Sequence, residues 1–145
     1  MASSSFYCTF EVQGHLLGLP AHHVQEVLVG QTITALPRSL PVVRGLMNLR
    51  GQIVPVLDLA VRLALPAGPR HPHAPMVLVR TSEGPVSLLV DKIGDVIDVE
   101  RLPLEPVPDA LTGEPRRLLV GTYKLADRLL LALDGALVVE TGCTP

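Results

Sequence analysis

The sequence predicts a mainly β protein built from two small barrels on one chain. Short aliphatic segments rich in β-branched residues recur along the chain, whereas helical spacing is sparse. Two stretches, residues 66–75 and 102–115, carry four prolines each, which removes backbone donors and prevents regular structure. One hairpin pattern also occurs twice, on either side of these stretches. Together these features indicate two similar β units joined by loops.

The N-terminal elements are strands. In the stretch SFYCTFEVQ, apolar residues alternate from Phe6 to Val12, which is typical of a half-buried strand. Gly14 permits a turn into a second strand, LLGLP. The segment AHHVQEVLVG has apolar residues at helical spacing before Gly30 and predicts one short helix near residues 21–29. Further strands are predicted in TITAL, MVLVRT, VSLLVD, IGDVIDVE, RLLVGTYKL and LLLAL, with a turn at SEG.

The duplicated pattern covers residues 45–58 and 121–134. In each copy a glycine-led strand runs to a polar turn, Arg50-Gly51 in the first and Asp127-Arg128 in the second. An aliphatic strand then returns and ends on an aspartate. Turns of this kind fix hairpin register. Because a proline-rich crossover separates the two similar hairpins, we expect them to lie in different barrels.

Composition excludes several classes of function. The net charge is −2 without a basic cluster, so nucleic acid is not an expected partner. No apolar run is long enough to span a bilayer, and the first residues lack a signal-peptide pattern. These features predict a cytoplasmic protein without membrane insertion. Hydrophobic residues reach 48% but aromatic residues only 3%, which suits packing against proteins better than a catalytic pocket.

Candidate catalytic and metal sites are poorly supported. His22 and His23 are adjacent, and on a helix they would point in different directions. The pair His71 and His73 lies in the first proline-rich loop, and a small β-barrel carrying a metal or ligand there remains the alternative function. Cys8 and Cys143 are interpreted as free thiols. A nucleophile elbow and a phosphate-binding glycine loop are absent, so the motifs do not support nucleophilic catalysis or phosphate binding.

Two charged residues are candidates for partner recognition. Arg50 is at a hairpin tip, where its guanidinium can reach a carboxylate outside the barrel. Glu26 is expected on the polar face of the short helix. Either residue could instead have a local role, Arg50 in the turn and Glu26 on a solvated helix face.

The chain resembles the CheW family from Phe6 to Leu137. The resemblance depends on a combination of motifs: VQEVL, ITALPRSLPVVRGLMNLRGQIVPVLDLAVRL, VSLLVDKIGDVIDV and GTYKLADRLLLALD. It implies two five-stranded Src-homology-3-like barrels around a shared hydrophobic core. Residues 1–145 would then form a single CheW-like domain of two intertwined lobes.

The resemblance also implies a non-enzymatic adaptor without a cofactor. Its expected partners are the regulatory domain of a CheA-type histidine kinase and the cytoplasmic tip of methyl-accepting chemoreceptors, which docks in a groove between the barrels. Ser87 stands where relatives often have glycine, so we expect it to narrow that groove. The expected contact residues are Val24, Glu26, Gly45, Asn48, Arg50, Gly51, Ile93 and Val96.

Overall fold

The structure is a computed structural model that describes residues 5–38, 40–66 and 74–140. Its strands form two five-stranded sheets, which we call lobe 1 and lobe 2. Lobe 1 contains β1 (Phe6–Val12), β2 (His15–Pro20), β8 (Lys92–Asp98), β9 (Leu119–Lys124) and β10 (Leu129–Leu133). Lobe 2 contains β3 (Val24–Leu28), β4 (Val43–Leu49), β5 (Gln52–Asp58), β6 (Met76–Val79) and β7 (Val86–Leu89).

The two sheets have the same plan. The strand order is β8-β1-β2-β10-β9 in lobe 1 and β3-β6-β7-β5-β4 in lobe 2. Each sheet contains three antiparallel pairs and one parallel pair, which is β2 with β10 in lobe 1 and β5 with β7 in lobe 2. The predicted mainly β fold of two Src-homology-3-like barrels is therefore confirmed, and the two duplicated hairpins lie in different lobes as expected.

A shared core joins the lobes. It combines side chains from lobe 1, such as Phe10 and Leu19, with side chains from lobe 2, such as Leu57 and Leu88. Each lobe also has its own core, which is smaller than the shared one. The lobe 1 core surrounds Leu130, and the lobe 2 core contains more aliphatic side chains than the lobe 1 core. Burial of aliphatic surface is thus the main force holding the lobes together.

Short helices follow the two duplicated hairpins. Helix α1 (Leu59–Arg62) follows β5, and helix α3 (Gly135–Val138) follows β10. Asp58 accepts a hydrogen bond from the backbone N–H of residue 60, and Asp134 accepts bonds from residues 136 and 137. The aspartate that ends each hairpin is therefore a helix N-cap. A third helix, α2 (Gly113–Leu118), precedes β9.

The predicted helix near residues 21–29 is wrong. Residues Ala21–His23 form one 3-10 turn, and Val24–Leu28 form strand β3, which pairs with β6. Burial alternates along β3, so the apolar residues that fitted a helical period also fit a period of two. The β-branched valines and the pairing with β6 decide the outcome in favour of a strand.

Two strand predictions also need correction. In TITAL the structure has a single bridge, from Thr34 to Leu46, instead of a strand. The start of RLLVGTYKL belongs to α2, which ends at Leu118 before β9 begins. The bridge at Thr34 matters because it holds this segment, which we call the crossing segment, against the edge strand β4 beside Gly45.

Candidate partner-binding site

The β4–β5 turn presents a rigid polar tip. Arg50 and Gly51 have φ angles of 50° and 88°, the signature of a two-residue type I′ hairpin turn. The side-chain oxygen of Asn48 accepts a hydrogen bond of 2.9 Å from the Gly51 N–H. Asn48, Arg50 and Gly51 are all exposed. The turn therefore exposes polar groups to solvent as predicted, and the hydrogen-bonded turn holds their backbone in one conformation.

Arg50 forms an ion pair with Glu26. The guanidinium donates a hydrogen bond to a carboxylate oxygen of Glu26, and their side chains are 65% and 32% exposed. Glu26 is on β3 and Arg50 follows β4, the two opposite edges of the lobe 2 sheet. The pair therefore closes lobe 2 at its rim. Such a solvated pair contributes only about 0–1 kcal/mol to stability, so its charges stay available to a partner.

Strand β8 presents an aliphatic face on lobe 1. Ile93 is 39% exposed and Val96 is 61% exposed. A bulge lies between them, where the Thr9 hydroxyl donates a 2.5 Å hydrogen bond to the backbone carbonyl of Asp95. A Cβ on Gly94 would come within 2.5 Å of that hydroxyl, so glycine permits the close approach. The bulge fixes how the two apolar residues face solvent.

Val24 and Gly45 are placed differently from the other candidates. Val24 is half-buried and packs against the shared core. Gly45 is buried on β4, and a Cβ there would come within 2.2 Å of the Thr34 carbonyl oxygen. Its φ of 151° also favours glycine. A side chain at position 45 would therefore disturb the crossing segment, so Gly45 shapes the surface from beneath.

Ser87 does not line a surface groove. It is 0% exposed and lies opposite Leu78 and Val56 in the sheet, whose side chains belong to the core of lobe 2. Its hydroxyl has no hydrogen-bond partner among the described residues. The expectation that Ser87 narrows a groove is therefore wrong, because this face of β7 points into the barrel.

Sequence reasoning missed three exposed aliphatic residues near the candidate site. Val27 on β3 is 42% exposed, Val29 just after β3 is 64% exposed, and Ile53 beside the β4–β5 turn is 62% exposed. The alternation of Val27 and Val29 with buried Leu28 carries the signal. Reading the segment as a helix concealed it. With these residues, lobe 2 has exposed aliphatic side chains beside the charged Glu26–Arg50 pair.

The histidines do not form a metal site in the described part of the chain, where no group of three His, Cys, Asp or Glu side chains could hold an ion. His22 and His23 contact each other edge to face at 4.4 Å between ring centroids. His71 and His73 lie outside the described residues. The metal-carrier alternative therefore gains no support.

Two further observations concern reactivity and membranes. Burial raises the pKa of the Cys8 thiol, which disfavours the reactive thiolate. Across residues 5–38, 40–66 and 74–140, no helix combines the length and apolar character needed to cross a membrane.

Fold and surface together define a two-lobed β protein with exposed aliphatic faces, of the kind that binds other proteins. Comparisons with known proteins identify the class more closely. The family model described as CheW-like domain matches residues 7–142. The chain therefore belongs to the CheW-like family.

Individual relatives agree with this assignment. The chain is 31% identical over 120 residues to the probable chemotaxis protein CheW of Rhizobium etli, covering 81% of this chain and 77% of that protein. It is 28% identical over 131 residues to the chemotaxis protein CheW of Bacillus subtilis, covering 90% and 84%. The crystal structure of scaffolding protein TtCheW from Thermoanaerobacter tengcongensis matches with a TM-score of 0.84 at 25% identity, covering 95% of this chain and 94% of that one.

Proposed function

We propose that this protein is a non-enzymatic adaptor of a chemotaxis system. It couples the cytoplasmic tips of chemoreceptors to the regulatory domain of a CheA-type histidine kinase, in the cytoplasm and as one two-lobed domain. The observation that carries the proposal is the family match across both lobes, which spans residues 7–142. The similarity to the scaffolding protein TtCheW and to chemotaxis proteins of other bacteria supports it.

The exposed surfaces are chemically suited to this role. Interfaces gain affinity from a few buried apolar anchors surrounded by a polar rim. Lobe 2 offers exposed aliphatic side chains beside the Glu26–Arg50 pair, and lobe 1 offers the β8 face. A helical receptor tip carries charged side chains at spacings of three and four residues, which such a rim could recognise. The proposed contact residues are Val24, Glu26, Asn48, Arg50, Gly51, Ile93 and Val96, with Gly45 supporting the surface from beneath.

The decisive experiment is reconstitution with purified receptor tips and kinase, measured as co-sedimentation and kinase activation. Arg50→Glu and Glu26→Lys should each weaken incorporation about tenfold, a loss of about 1.4 kcal/mol. Melting temperatures should change little, because the pair is exposed. Wild-type protein that fails to join receptor and kinase would refute the adaptor role.

A charge exchange separates partner contact from local structure. The double variant Glu26→Arg with Arg50→Glu keeps an ion pair but reverses both charges. If a partner contacts these charges directly, the double variant still assembles poorly; full recovery would mean that the pair only closes the barrel. Arg128→Glu in lobe 1 is the matched control, since Arg128 pairs with Glu11 at 3.2 Å beside the equivalent hairpin turn.

A further inference from the structure

Arg62 is a partly buried cation between the two lobes. It is the last residue of α1, which extends from β5 of lobe 2, and its side chain is only 10% exposed. Its guanidinium contacts the two helices that flank the β9–β10 hairpin of lobe 1, α2 before it and α3 after it. Nη1 is 2.6 Å from a carboxylate oxygen of Glu114 in α2, Nη2 donates a 2.8 Å bond to the Leu137 carbonyl, and Nε donates a 3.2 Å bond to the Val138 carbonyl.

These contacts break the internal repeat of the fold. Helices α1 and α3 follow equivalent strands, and the fourth residue of each is Arg62 in one and Val138 in the other. The arginine of one copy thus binds the carbonyl of its counterpart in the other copy. The acceptors at residues 137 and 138 are carbonyls at the C-terminal end of α3, which carries partial negative charge.

The shared core and Arg62 constrain the lobes in different ways. Aliphatic contacts hold surfaces together but are not directional, so they tolerate small rotations of one lobe against the other. A guanidinium is planar and its donors point in fixed directions, so three bonds to one lobe restrict its orientation. Glu114 compensates the Arg62 charge. The hydrogen bond from Arg117, and to a smaller extent the one from Arg62, lowers the pKa of Glu114.

We propose that Arg62 is the positioning residue that sets the angle between the two lobes, and thereby the relation between the lobe 1 and lobe 2 contact surfaces. The part of the inference that concerns partners rests on the proposed adaptor function. The part that concerns lobe angle does not, and it can be measured on the isolated protein.

The direct test measures an inter-lobe distance by spin labelling. Labels are attached at Gln25→Cys on β3 and Lys124→Cys on β9, both exposed positions, after Cys8 and Cys143 have been replaced by serine. Arg62→Met removes all three donors at similar side-chain length. We expect a broader and displaced distance distribution in Arg62→Met. A distribution as narrow as that of the parent, in a folded variant, would overturn the proposal.

Arg117→Met is the matched control. Arg117 also binds Glu114, at 2.9 Å, but both residues belong to α2 and the contact does not cross between lobes. Its loss should leave the inter-lobe distance unchanged, and an equal broadening in both variants would overturn the proposal. If Arg62→Met does not fold, Arg62→Lys decides the matter, because lysine keeps the charge but lacks the planar fork. Broadening in Arg62→Lys supports the proposal, and an unbroadened distribution overturns it.

Assembly with partners provides a second readout. Arg62→Met should lower incorporation into receptor and kinase assemblies by about tenfold, with partial recovery in Arg62→Lys. A broadened distance distribution with wild-type incorporation would limit the role of Arg62 to the lobe angle and overturn its link to partner binding. If the unsubstituted protein does not assemble, the adaptor function fails while the distance result stands.

Discussion

Lobe 1 and lobe 2 share their backbone plan but differ in the polar side chains placed on it. Each lobe has a glycine beneath a crossing segment, Gly45 under Thr34 and Gly121 under Glu105, and each hairpin ends on a helix-capping aspartate. Each hairpin turn has an arginine paired with a glutamate, but the glutamate comes from a different strand: Glu26 of β3 pairs with Arg50 in lobe 2, and Glu11 of β1 pairs with Arg128 in lobe 1.

The barrel interiors differ in the same way. Ser87 on β7 faces the core of lobe 2, whereas Gly18 has the equivalent position on β2 of lobe 1, opposite Ala132 of β10. The two lobes therefore share the close backbone approach at a glycine and the aspartate that caps the following helix, because both features shape the backbone itself. Rim charges and buried hydroxyls are free to diverge, and the rim charges are where we propose that partner recognition lies.

The largest expected effect tests the shared backbone plan. Gly45→Ala should lower the free energy of unfolding by at least about 3 kcal/mol, because it combines a strained φ with a collision at the Thr34 carbonyl. Gly121→Ala should cost about 1–3 kcal/mol, since its added Cβ would lie 2.6 Å from the Glu105 carbonyl oxygen. Urea denaturation measures both values.

Gly14→Ala is the control for backbone strain alone. Gly14 has a φ of 80°, but an added Cβ would meet nothing within 4 Å, so the cost should be about 1 kcal/mol. If Gly45→Ala were no more destabilising than Gly14→Ala, the crossing segment would not constrain β4, and the common plan of the lobes would lose its physical basis.

An intermediate effect tests the difference between the barrel interiors. Ser87→Ala should raise the free energy of unfolding by about 1 kcal/mol, because it removes a buried hydroxyl that lacks a partner among the described residues. Gly18→Ala should instead lower it by about 1 kcal/mol, since the added Cβ would lie 3.0 Å from Leu130 Cδ1. Thermal and urea unfolding of both variants would show opposite signs. A destabilised Ser87→Ala variant would mean that the hydroxyl is satisfied in solution.

The smallest effect concerns the junction where the chain passes from lobe 1 to lobe 2. Burial, and secondarily His22, lowers the pKa of His23, with a smaller opposing effect from Asp134. The unfolded chain therefore binds a proton more readily than the folded protein. The stabilising contribution of neutral His23 is complete above the ordinary imidazole pKa of about 6.5 and is lost as the pH falls toward the lower folded value.

Replacing His23 tests this sign. His23→Gln should weaken the decline in unfolding free energy between about pH 7 and about pH 5, measured by urea titrations across that range. His15→Gln makes the same substitution at an exposed position and supplies the comparison. If the pH dependence of the unfolding free energy is the same in His23→Gln as in the parent protein, protonation of His23 does not affect stability.

Much of this architecture could be predicted from sequence, because the duplicated hairpins carry strong local signals. Glycines, turn residues and terminal aspartates recur at matching places, and each acts through nearby backbone. The segment at Val24–Leu28 could not be assigned in this way. Its apolar residues fit both periods, and only pairing with β6, which is distant in sequence, selects the strand.

The candidate site was predictable in part for the same reason. The exposed tip at Arg50 follows from a local turn, so its display could be foreseen. Its ion pair with Glu26 and the burial of Gly45 beneath Thr34 depend on contacts between separate elements. The expectation for Ser87 was wrong because it came from the glycine that relatives often have there, and a residue type does not say which face of β7 points into the barrel.

The order of the strands along the chain has a consequence for synthesis. All strands of lobe 2 lie between Val24 and Leu89, whereas lobe 1 needs strands from both ends of the chain. Its parallel pairing of residues 16–18 with residues 130–132 closes a very long loop, which is entropically costly and slow. On the ribosome, lobe 2 can therefore fold while the chain is still being made. Strand β2 must wait, without its neighbour β10, until residues 129–133 have been synthesised.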